Sequence, residues 1–597
     1  MNRVAHGRKK DTLIKLVMVS KVVVLMKRGL IGSALAFLPA FTLGANEYET
    51  TTGDDDPFTS NLPIILIHTD AAINANAKVP GTMKVINNAE GRNAETDAPT
   101  DYDGRIGIKL RGNSSLSFEQ KKYTIETQDA EGNDLKAAIM GMPEESDWVL
   151  LAPYNDLSLV RDVFAFSMWT EMGHWAPRTQ MCEVKVNGEY MGVYIFCEKI
   201  KRDKERVDIA KLKEDDVEGR ELTGGYIVRV DAYDDGDATF TSKVKGIPDN
   251  GGGGWPWGGA SNTTVTWTVY HPKKEKLQPQ QMAYIQDFVD RMEQSFQSAN
   301  YKDPQQGYAR YVDVPSFVDY FIHTELSLNA DGFKRSSYFY KDKDAADGTE
   351  ARLVAGPVWD YNLAYGDCNF CNANNPQAWV YEGCTTNPTP AFWKRLTTDP
   401  AFMQAVRERY AYLRRTIISQ ERIEQFFDTY AQLLDEAKER HYAKYDDLFV
   451  DNSQQGGGGG WGWWPWGGGN TSPIAYYAAY FVESYEEEIQ TVKDWFKKRI
   501  AFLDSQWNYD TTSSTGSLQG HFNIDLKATS PTPETLTITL RADRPLQRAQ
   551  VCSLDGKTLC NVEAKNGSKK LRLECKRMPC IVVCHADDGS YITRKVM

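Results

Sequence analysis

The sequence has no excess of basic residues and no cysteine before Cys182, and its N-terminal apolar run is short. Lys and Arg number 69 against 81 Asp and Glu, which gives a net charge of −12. A general nucleic-acid binder carries a basic surface, so we expect no nucleic-acid partner. The late first cysteine excludes a lipid anchor at a cleavage-site cysteine. The uncharged run 29–46 is shorter than the roughly 20 apolar residues of a membrane span, so we expect no stable transmembrane anchor.

The N-terminus has the order of a signal peptide. Lys27 and Arg28 precede the uncharged run, which ends in the small residues Thr42, Gly44 and Ala45. Charged, apolar and small residues in this order are typical of export. We therefore predict a signal peptide over 1–45 and a protein that is secreted or held on the cell surface. A non-cleaved anchor is the alternative.

The ten cysteines are disulfide candidates in an oxidising compartment. Cys368 and Cys371 form a CxxC pair, but no second pair or histidine lies nearby, so zinc is weakly indicated. The complete set is Cys182, Cys197, Cys368, Cys371, Cys384, Cys552, Cys560, Cys575, Cys580 and Cys584.

Composition divides the chain into a long mixed region and a short C-terminal one. The polar segment 46–61 reads as a linker, and 62–507 mixes strands in its first half with helices in its second, which predicts an α+β fold with two lobes. A second linker, 508–520, precedes a strand-like region, 521–597, that is expected to be a small β-sandwich. β-branched, aromatic or alternating residues predict strands, and 3.6-residue periodicity predicts helices. The strands are expected within 62–69, 105–110, 121–127, 182–200 and 224–230, and the helices within 280–299, 399–418 and 473–506.

Two segments, 250–262 and 455–470, are rich in glycine and tryptophan and nearly repeat each other. Glycine-rich chain is entropically expensive to order, which favours mobile inserted loops. The alternative is a paired aromatic surface that grips a peptide, glycan or lipid.

Three short motifs carry chemistry. A Gly–Asn–Ser–Ser turn at 112–115 lies between two predicted strands, and two lysines open the second strand; such a turn can cradle phosphate oxygens. Asp331 lies in "NADGFKRSS", and Asp360 lies in "GPVWDYNLAYGD". A carboxylate that accepts a hydroxyl proton, followed by one that holds Mg²⁺, is the order found in kinase catalytic loops. Each aspartate alone is more simply a turn or cap residue.

Together with "DWVLLAPYNDLSLVRDVFAF" and "VNGEYMGVYIFCEKI", these motifs resemble the CotH-like (spore coat protein H) atypical protein kinases. The resemblance covers roughly 62–505. It implies a two-lobed kinase-like fold, ATP and Mg or Mn as cofactors, and phosphoryl transfer to Ser or Thr of an extracytoplasmic protein.

The resemblance also implies roles for particular residues. Asp331 would be catalytic, Asp360 and Asn362 would lie at the metal, and Lys122, or else Lys121, would contact the phosphates. The phosphate-binding turn would be formed by Arg111, Gly112, Asn113, Ser114 and Ser115.

Two departures from the family pattern weaken the kinase reading. Asn362 stands where a second metal-binding aspartate is common, and Ser336 stands where a catalytic-loop asparagine is common. An amide can ligate a hard cation but lacks charge, so we expect weaker metal binding.

The C-terminal region resembles type IX secretion sorting domains, which implies a secretion-machinery partner and a Gram-negative cell. The strand–"LDGK"–strand pattern and the basic final strand carry that resemblance.

Two alternatives to the kinase function stay open. The first is a weakly active or inactive kinase-like surface protein that acts in adhesion or binding. Glycoside hydrolysis by two carboxylates is a distant third possibility.

Overall fold

A computed structural model describes residues 57–596 with gaps. The segments outside it are 1–56, 234–235, 249–262, 369–370, 384–387, 447, 450–479, 510–523, 530–534, 543–544, 554–557, 566–567, 577–579, 587–590 and 597. The predicted signal peptide, both Gly/Trp-rich inserts and most of both linkers therefore lie outside the described residues.

Strands dominate the first half of the described chain. They are β1 Thr59–Ser60, β2 Ile64–His68, β3 Val79–Ile86, β4 Asn93–Ala94, β5 Tyr102–Arg111, β6 Lys122–Gln128, β7 Asp147–Leu151, β8 Thr179–Val186, β9 Glu189–Glu198, β10 Tyr226–Val230, β11 Thr239–Thr241, β12 Thr266–His271, β13 Ser337–Lys341 and β14 Leu353–Ala355. All five predicted strand regions contain strands.

Helices dominate the second half, so the α+β content is confirmed. They are α1 Arg161–Glu171, α2 Pro279–Gln297, α3 Val314–Ser327, α4 Ala391–Leu396, α5 Pro400–Thr416, α6 Gln420–Leu433, α7 Asp435–Lys444 and α8 Tyr485–Gln506.

Seven strands close a barrel in the order β2-β3-β5-β6-β7-β9-β8. Side chains of successive strand residues point to opposite faces, and β7 shows the consequence. Trp148 and Leu150 belong to the core cluster inside the barrel, whereas Val149 and Leu151 belong to a larger cluster outside it. Every residue of β7 is buried, and after Asp147 the strand is a continuous apolar run rather than an alternating one.

The outer cluster joins the barrel to a second sheet and to the helices. That sheet has the order β11-β12-β10-β13-β14. Its side chains pack with α1 and with the helices after residue 279 in one continuous core. The candidate site residues lie on the segments at the ends of these elements.

The predicted helix over 473–506 is wrong in its described first part. Residues 480–484 are not helical, and α8 begins at Tyr485. The hydroxyl of Ser484 accepts a hydrogen bond from the Glu487 N–H, and the Glu487 carboxylate accepts from the Glu483 N–H. This capping pattern fixes the helix start, and apolar periodicity alone had not revealed it.

The C-terminal region forms two antiparallel sheets. β15 Ile524–Thr529, β16 Thr535–Ala542 and β19 Lys570–Lys576 form one sheet, and the other has the order β18-β17-β20-β21. Its strands are β17 Leu546–Ser553, β18 Thr558–Glu563, β20 Cys580–Ala586 and β21 Tyr591–Val596. Residues of both sheets share one apolar cluster, as in a β-sandwich. The "LDGK" and "DDGS" turns lie outside the described residues.

Cys182 and Cys197 do not form a disulfide. Both are buried free thiols, and they belong to the two different clusters inside and outside the barrel. They lie on neighbouring strands, but Cys182 faces Tyr194 and Cys197 faces Thr179. The prediction that they are disulfide candidates is therefore wrong for this pair.

Among the helices of the described ranges, none has both the length and the apolar character needed to cross a bilayer.

Candidate active site

A tight turn connects β5 to β6 at one end of the barrel. Arg111 and Lys122 are paired across the two strands, and the turn between them contains a short 3-10 segment, Ser114–Ser117. Gly112 has φ +120°, and a Cβ atom there would lie 2.0 Å from the Ser115 hydroxyl. Only glycine fits this position without movement of the turn.

The two adjacent lysines have different partners. The Lys122 ammonium lies 3.5 Å from Oδ1 of Asp360, and its side chain is 8% exposed. The Lys121 ammonium donates instead to the backbone carbonyls of Leu116, at 2.8 Å, and Phe118. The structure therefore brings Lys122 to the predicted site, and it places Lys121 under the turn.

Arg111 also reaches the segment that carries Asp360. Its guanidinium lies over the ring of Trp359, 4.8 Å from the centroid, within the range of a cation–π contact. Trp359 in turn stacks on Phe166 of α1. The start of the predicted phosphate turn and the predicted metal segment are thus held against each other, with Asn113 and Ser114 exposed to solvent.

Asp360 lies in a left-handed backbone conformation, with φ +66°. Aspartate is one of the few non-glycine residues that adopt it readily, and such outliers concentrate at functional sites. Its side chain is 34% exposed. Asn362, two residues on, is buried, and its amide nitrogen donates to Oδ1 of Asn155 at 3.0 Å.

The loop of Asp331 follows α3 and contains several left-handed residues. Leu328, Phe333 and Ser336 have φ of 46°, 68° and 45°. For the bulky Leu328 and Phe333 this conformation is unfavourable, so the surrounding contacts must hold the loop in place. Burial raises the pKa of Asp331 above its ordinary value, and the nearby Lys334 and Arg335 oppose that effect.

Asn329 connects the Asp331 loop to the Asp360 segment. Its Oδ1 accepts from the Asp331 N–H at 3.1 Å, and its Nδ2 donates to the Asp360 carbonyl at 3.3 Å. One side chain therefore sets the position of both predicted aspartates.

Asp162, in the first turn of α1, is a site residue that the sequence reasoning missed. It is buried, and its Oδ1 accepts from the Tyr361 N–H at 2.5 Å. Burial and the neighbouring Asp360 raise the pKa of Asp162 to about 7, although Lys122 acts in the opposite direction. Lys122 thus lies within the electrostatic reach of two carboxylates.

Asp231, directly after β10, contributes another carboxylate. It pairs with Arg229 at 3.0 Å and accepts from the Ser336 N–H of the Asp331 loop. Burial raises the pKa of Asp231, with Asp360 also contributing.

Lys334 is almost fully buried beneath the loop, where its ammonium donates to the Ala330 carbonyl. Burial lowers the pKa of Lys334 to about 8, and Asp331 opposes that lowering. Lys334 thus supports the loop from below.

A buried charge cluster holds the chain after Asp360. The Arg161 guanidinium is fully buried and lies 2.5 Å from Asp156 and 2.7 Å from Glu488 of α8. Its Nε donates to the Ala364 carbonyl at 3.1 Å. These bonds connect the 360–367 segment to α1 and α8. Removal of one partner from such a buried charged group is strongly destabilising.

Asn155 and Asp162 lie in the stretch "DWVLLAPYNDLSLVRDVFAF", which carries the family resemblance but does not by itself assign a site role to them or to Asp231. Each lies far from the turn, Asp331 and Asp360 along the chain and enters the site through strand and helix packing. The adjacency of Asp162 to Arg161 in "SLVRDVF" was visible, but one aspartate in a first helical turn is ordinarily a dipole or cap residue.

Comparison with known proteins adds a family to this geometry. The family model described as CotH kinase protein matches residues 108–503, which is more than half of the 597 residues. The chain belongs to the CotH kinase protein family. All of the residues named above for the site fall within the matched span.

The CotH family match is accompanied by a distant relative. The inner spore coat protein H of Bacillus subtilis (strain 168) is 23% identical over 261 residues. That alignment covers 44% of this chain and 59% of the relative. The chain thus matches somewhat over half the length of this CotH protein.

Proposed function

We propose that the chain is a secreted atypical protein kinase with a two-lobed core that transfers the γ-phosphoryl group of ATP to a Ser or Thr hydroxyl of an extracytoplasmic protein. The observation that carries the proposal is the contact between Lys122 and Asp360, 238 residues apart in sequence. The hydrogen bonds of Asn329 to the Asp331 and Asp360 backbones support it further, because they bring the predicted acceptor-binding and metal-binding segments together.

In this proposal each part of the site has one task. The turn 112–115 and Lys122 bind the phosphates, and Lys122 offsets their negative charge. Asp331 accepts a hydrogen bond from the acceptor hydroxyl and orients it towards the γ-phosphorus. Asp162 and Asn329 position the Asp360 segment through its backbone.

The donor set fits a divalent ion that is shared with the nucleotide. The described ranges hold no group of three or more His, Cys, Asp or Glu side chains arranged to bind a metal. Mg²⁺ needs only one or two carboxylates when phosphates and water supply its other ligands. Asp360, partly exposed, and the Asn362 carbonyl oxygen would hold Mg²⁺ or Mn²⁺, which would neutralise phosphate charge.

A transfer assay tests the proposal. The full chain is incubated with γ-³²P-labelled ATP, Mn²⁺ and a serine-rich acceptor. Asp331→Asn should remove at least 99% of the transfer and leave ATP affinity within about threefold, because this residue contacts the acceptor and not the nucleotide. Asp342→Asn is the matched control. It makes the same change eleven residues further along the chain, at an aspartate with no proposed role in the site, and should retain activity. Equal transfer by wild type and Asp331→Asn would contradict the assignment.

A second function, a weakly active or inactive kinase-like surface protein acting in adhesion or binding, is favoured by Ser336. This residue occupies the position where the resemblance leads us to expect asparagine, and its φ is +45°, which asparagine tolerates better than serine. If wild type binds ATP without transfer and Ser336→Asn gains transfer, the second function is correct. If Ser336→Asn changes nothing in an active wild type, the kinase proposal is favoured.

Export and surface location belong to the same proposal. The N-terminal charge pattern and the naming of a relative as a spore coat protein support a position outside the cytoplasm. The proposal extends to the C-terminal region, whose two sheets share one apolar cluster: it would act as a sorting domain in a Gram-negative cell. A chain that lacks 521–597 should accumulate in the periplasm, and undiminished display of that chain would contradict the sorting role.

A further inference from the structure

Three buried carboxyl groups surround one guanidinium at the end of the 360–367 segment. Arg161 lies 2.5 Å from Asp156 and 2.7 Å from Glu488. Its Nη2 lies 4.0 Å from Oδ1 of Asp367, and none of the four side chains is more than 6% exposed. If all three carboxyl groups were ionised, the cluster would bury an excess of two negative charges. Burial of charge without a partner is strongly disfavoured.

Asp156 is the counter-ion of Arg161 in this cluster. Its carboxylate accepts from the backbone N–H groups of Ser158, at 3.0 Å, and Arg161, at 2.8 Å. It also accepts from the Ser158 hydroxyl at 2.6 Å. Donors to both oxygens favour the ionised form of a carboxyl group. Asp156 and Arg161 therefore balance each other, and the excess charge falls on Asp367 and Glu488.

Asp367 and Glu488 each have one oxygen that no donor satisfies. Oε1 of Glu488 lies 2.7 Å from Nη1 of Arg161 and accepts from the Tyr480 hydroxyl at 3.1 Å. Oε2 of Glu488 and Oδ2 of Asp367 are both buried, and no hydrogen-bond donor of the described residues reaches either atom. Two ionised carboxylates cannot satisfy each other, because both only accept, whereas a protonated carboxyl group donates to its neighbour.

The chain next to Asp367 packs directly on α8, the helix that carries Glu488. Gly366 has φ +87°, and a Cβ atom there would lie only 2.5 Å from Cδ1 of Trp495. Trp495 follows Glu488 by seven residues in α8, which is about two helical turns, so both side chains lie on the same face of the helix. Asp367 therefore meets the face of α8 to which Glu488 belongs.

The electrostatic surroundings favour a neutral form for one of the two carboxyl groups. Burial raises the pKa of Asp367 well above its ordinary value; Arg161 opposes this effect, and Glu488 and Asp156 add to it. Burial also raises the pKa of Glu488, against the effect of Arg161. When two carboxyl groups share one site, the first ionisation makes the second unfavourable. The other ionisable groups that face the pair are the phenols of Tyr442, Tyr480 and Tyr485.

We propose that Asp367 and Glu488 share a single proton, and that this proton makes the contact between the 360–367 segment and α8 sensitive to pH. The O–H of one carboxyl group donates to the unpartnered oxygen of the other. Loss of the proton leaves two buried anions side by side, which weakens the hold of α8 on the segment. Asp360 lies at the other end of this segment, so the pair makes the support of the proposed metal position dependent on pH.

The test is urea unfolding of the full chain between about pH 5 and pH 7, where both carboxyl groups are ionised in the unfolded state. Asp367→Asn and Glu488→Gln each keep the shape of the side chain and supply a donor that cannot lose its proton. Wild type takes up one proton on folding that neither variant takes up. The unfolding equilibrium constant of wild type, divided by that of either variant, should therefore rise about tenfold per pH unit while the pair keeps its proton.

The double variant Asp367→Asn/Glu488→Gln distinguishes one shared proton from two separate protons. With a shared proton it should have the same pH slope as either single variant, because each single substitution has already removed that proton.

Asp494→Asn removes an exposed carboxylate from α8; it is the matched control and should keep the wild-type slope. No nucleotide is present, so the result does not depend on the proposed kinase function. If one amide variant does not fold, the other decides, since either substitution alone removes the proton. Three results would overturn the proposal: a constant ratio between wild type and Asp367→Asn, a wild-type slope in Glu488→Gln, or a change of slope in the double variant that is twice that of a single variant.

Discussion

Lys122→Met removes the ammonium that faces Asp360 and tests which of the two adjacent lysines serves the site. At 3.5 Å and an effective dielectric constant of about 20, the attraction of this pair amounts to about 5 kcal/mol before solvent screening. The Asp360 side chain is one third exposed, and methionine is easier to bury than an ammonium. We therefore expect the free energy of unfolding of the ligand-free protein to change by no more than about 2 kcal/mol.

The effect on nucleotide binding should be larger. A charge-assisted hydrogen bond to phosphate contributes about 1.5–3 kcal/mol, so Lys122→Met should weaken ATP binding by roughly 10- to 150-fold. Lys121→Met removes the same charge one residue away but breaks only the bonds to the Leu116 and Phe118 carbonyls. It should weaken ATP binding by no more than about threefold, through a looser turn.

The assay is isothermal calorimetry of ATP with Mn²⁺, beside urea unfolding of each variant. The urea experiment shows whether a variant loses ATP affinity because its ammonium is missing or because the protein is less stably folded. An equal loss of affinity in the two variants, or a larger loss in Lys121→Met, would refute the assignment of Lys122 to the phosphates.

Three other substitutions probe the metal position, the turn and a buried carboxyl. Asn362→Asp should strengthen Mn²⁺-dependent ATP binding through added charge. It should also lower the free energy of unfolding by about 1–3 kcal/mol, because an acceptor replaces the amide that donates to Asn155. Weaker metal binding in a titration would contradict the first expectation. Gly112→Ala should lower ATP affinity at least tenfold, since its Cβ atom would collide with the turn. Gly132→Ala is the control: Gly132 also has a positive φ but has open space around it, so this variant should alter stability alone. Equal ATP affinities of the two variants would refute the role of the turn in nucleotide binding. Burial raises the pKa of Glu293 to about 7, so the folded state is disfavoured as pH rises from about 4.5, where the unfolded carboxyl ionises, to about 7. Glu293→Gln should remove up to about 3 kcal/mol of that decline in urea unfolding at stepped pH, and an unchanged pH slope would contradict the shift.

The sequence predicts the elements of this fold better than their assembly. Strands such as β5 and β9 follow from their β-branched and aromatic residues. α2 and α5 follow from helical periodicity, because apolar residues recur on one face of each helix. α1 was not predicted, because nearly all of its residues are buried and its pattern is therefore apolar on most sides. The closed barrel also stayed out of reach, since it depends on the parallel pairing of β2 with β8, more than 100 residues apart.

The candidate site likewise contains residues that the sequence predicts and residues that it does not. The turn and the two aspartates are local motifs and could be read from the sequence. The choice between Lys121 and Lys122 depends on which ammonium lies beside Asp360, and the sequence alone leaves it open. Asp162 and Asp231 reach the site through packing of a helix and a strand, so no spacing rule reveals them.

The measurement that tests the kinase account most directly is ATP binding by wild type and Asp360→Asn, with Mn²⁺ and with EDTA. Wild type should bind ATP at micromolar to low millimolar concentration with Mn²⁺ and at least tenfold more weakly with EDTA. Asp360→Asn should lose this metal dependence. A wild-type protein that is folded by urea titration yet binds no ATP at millimolar concentration would contradict the account.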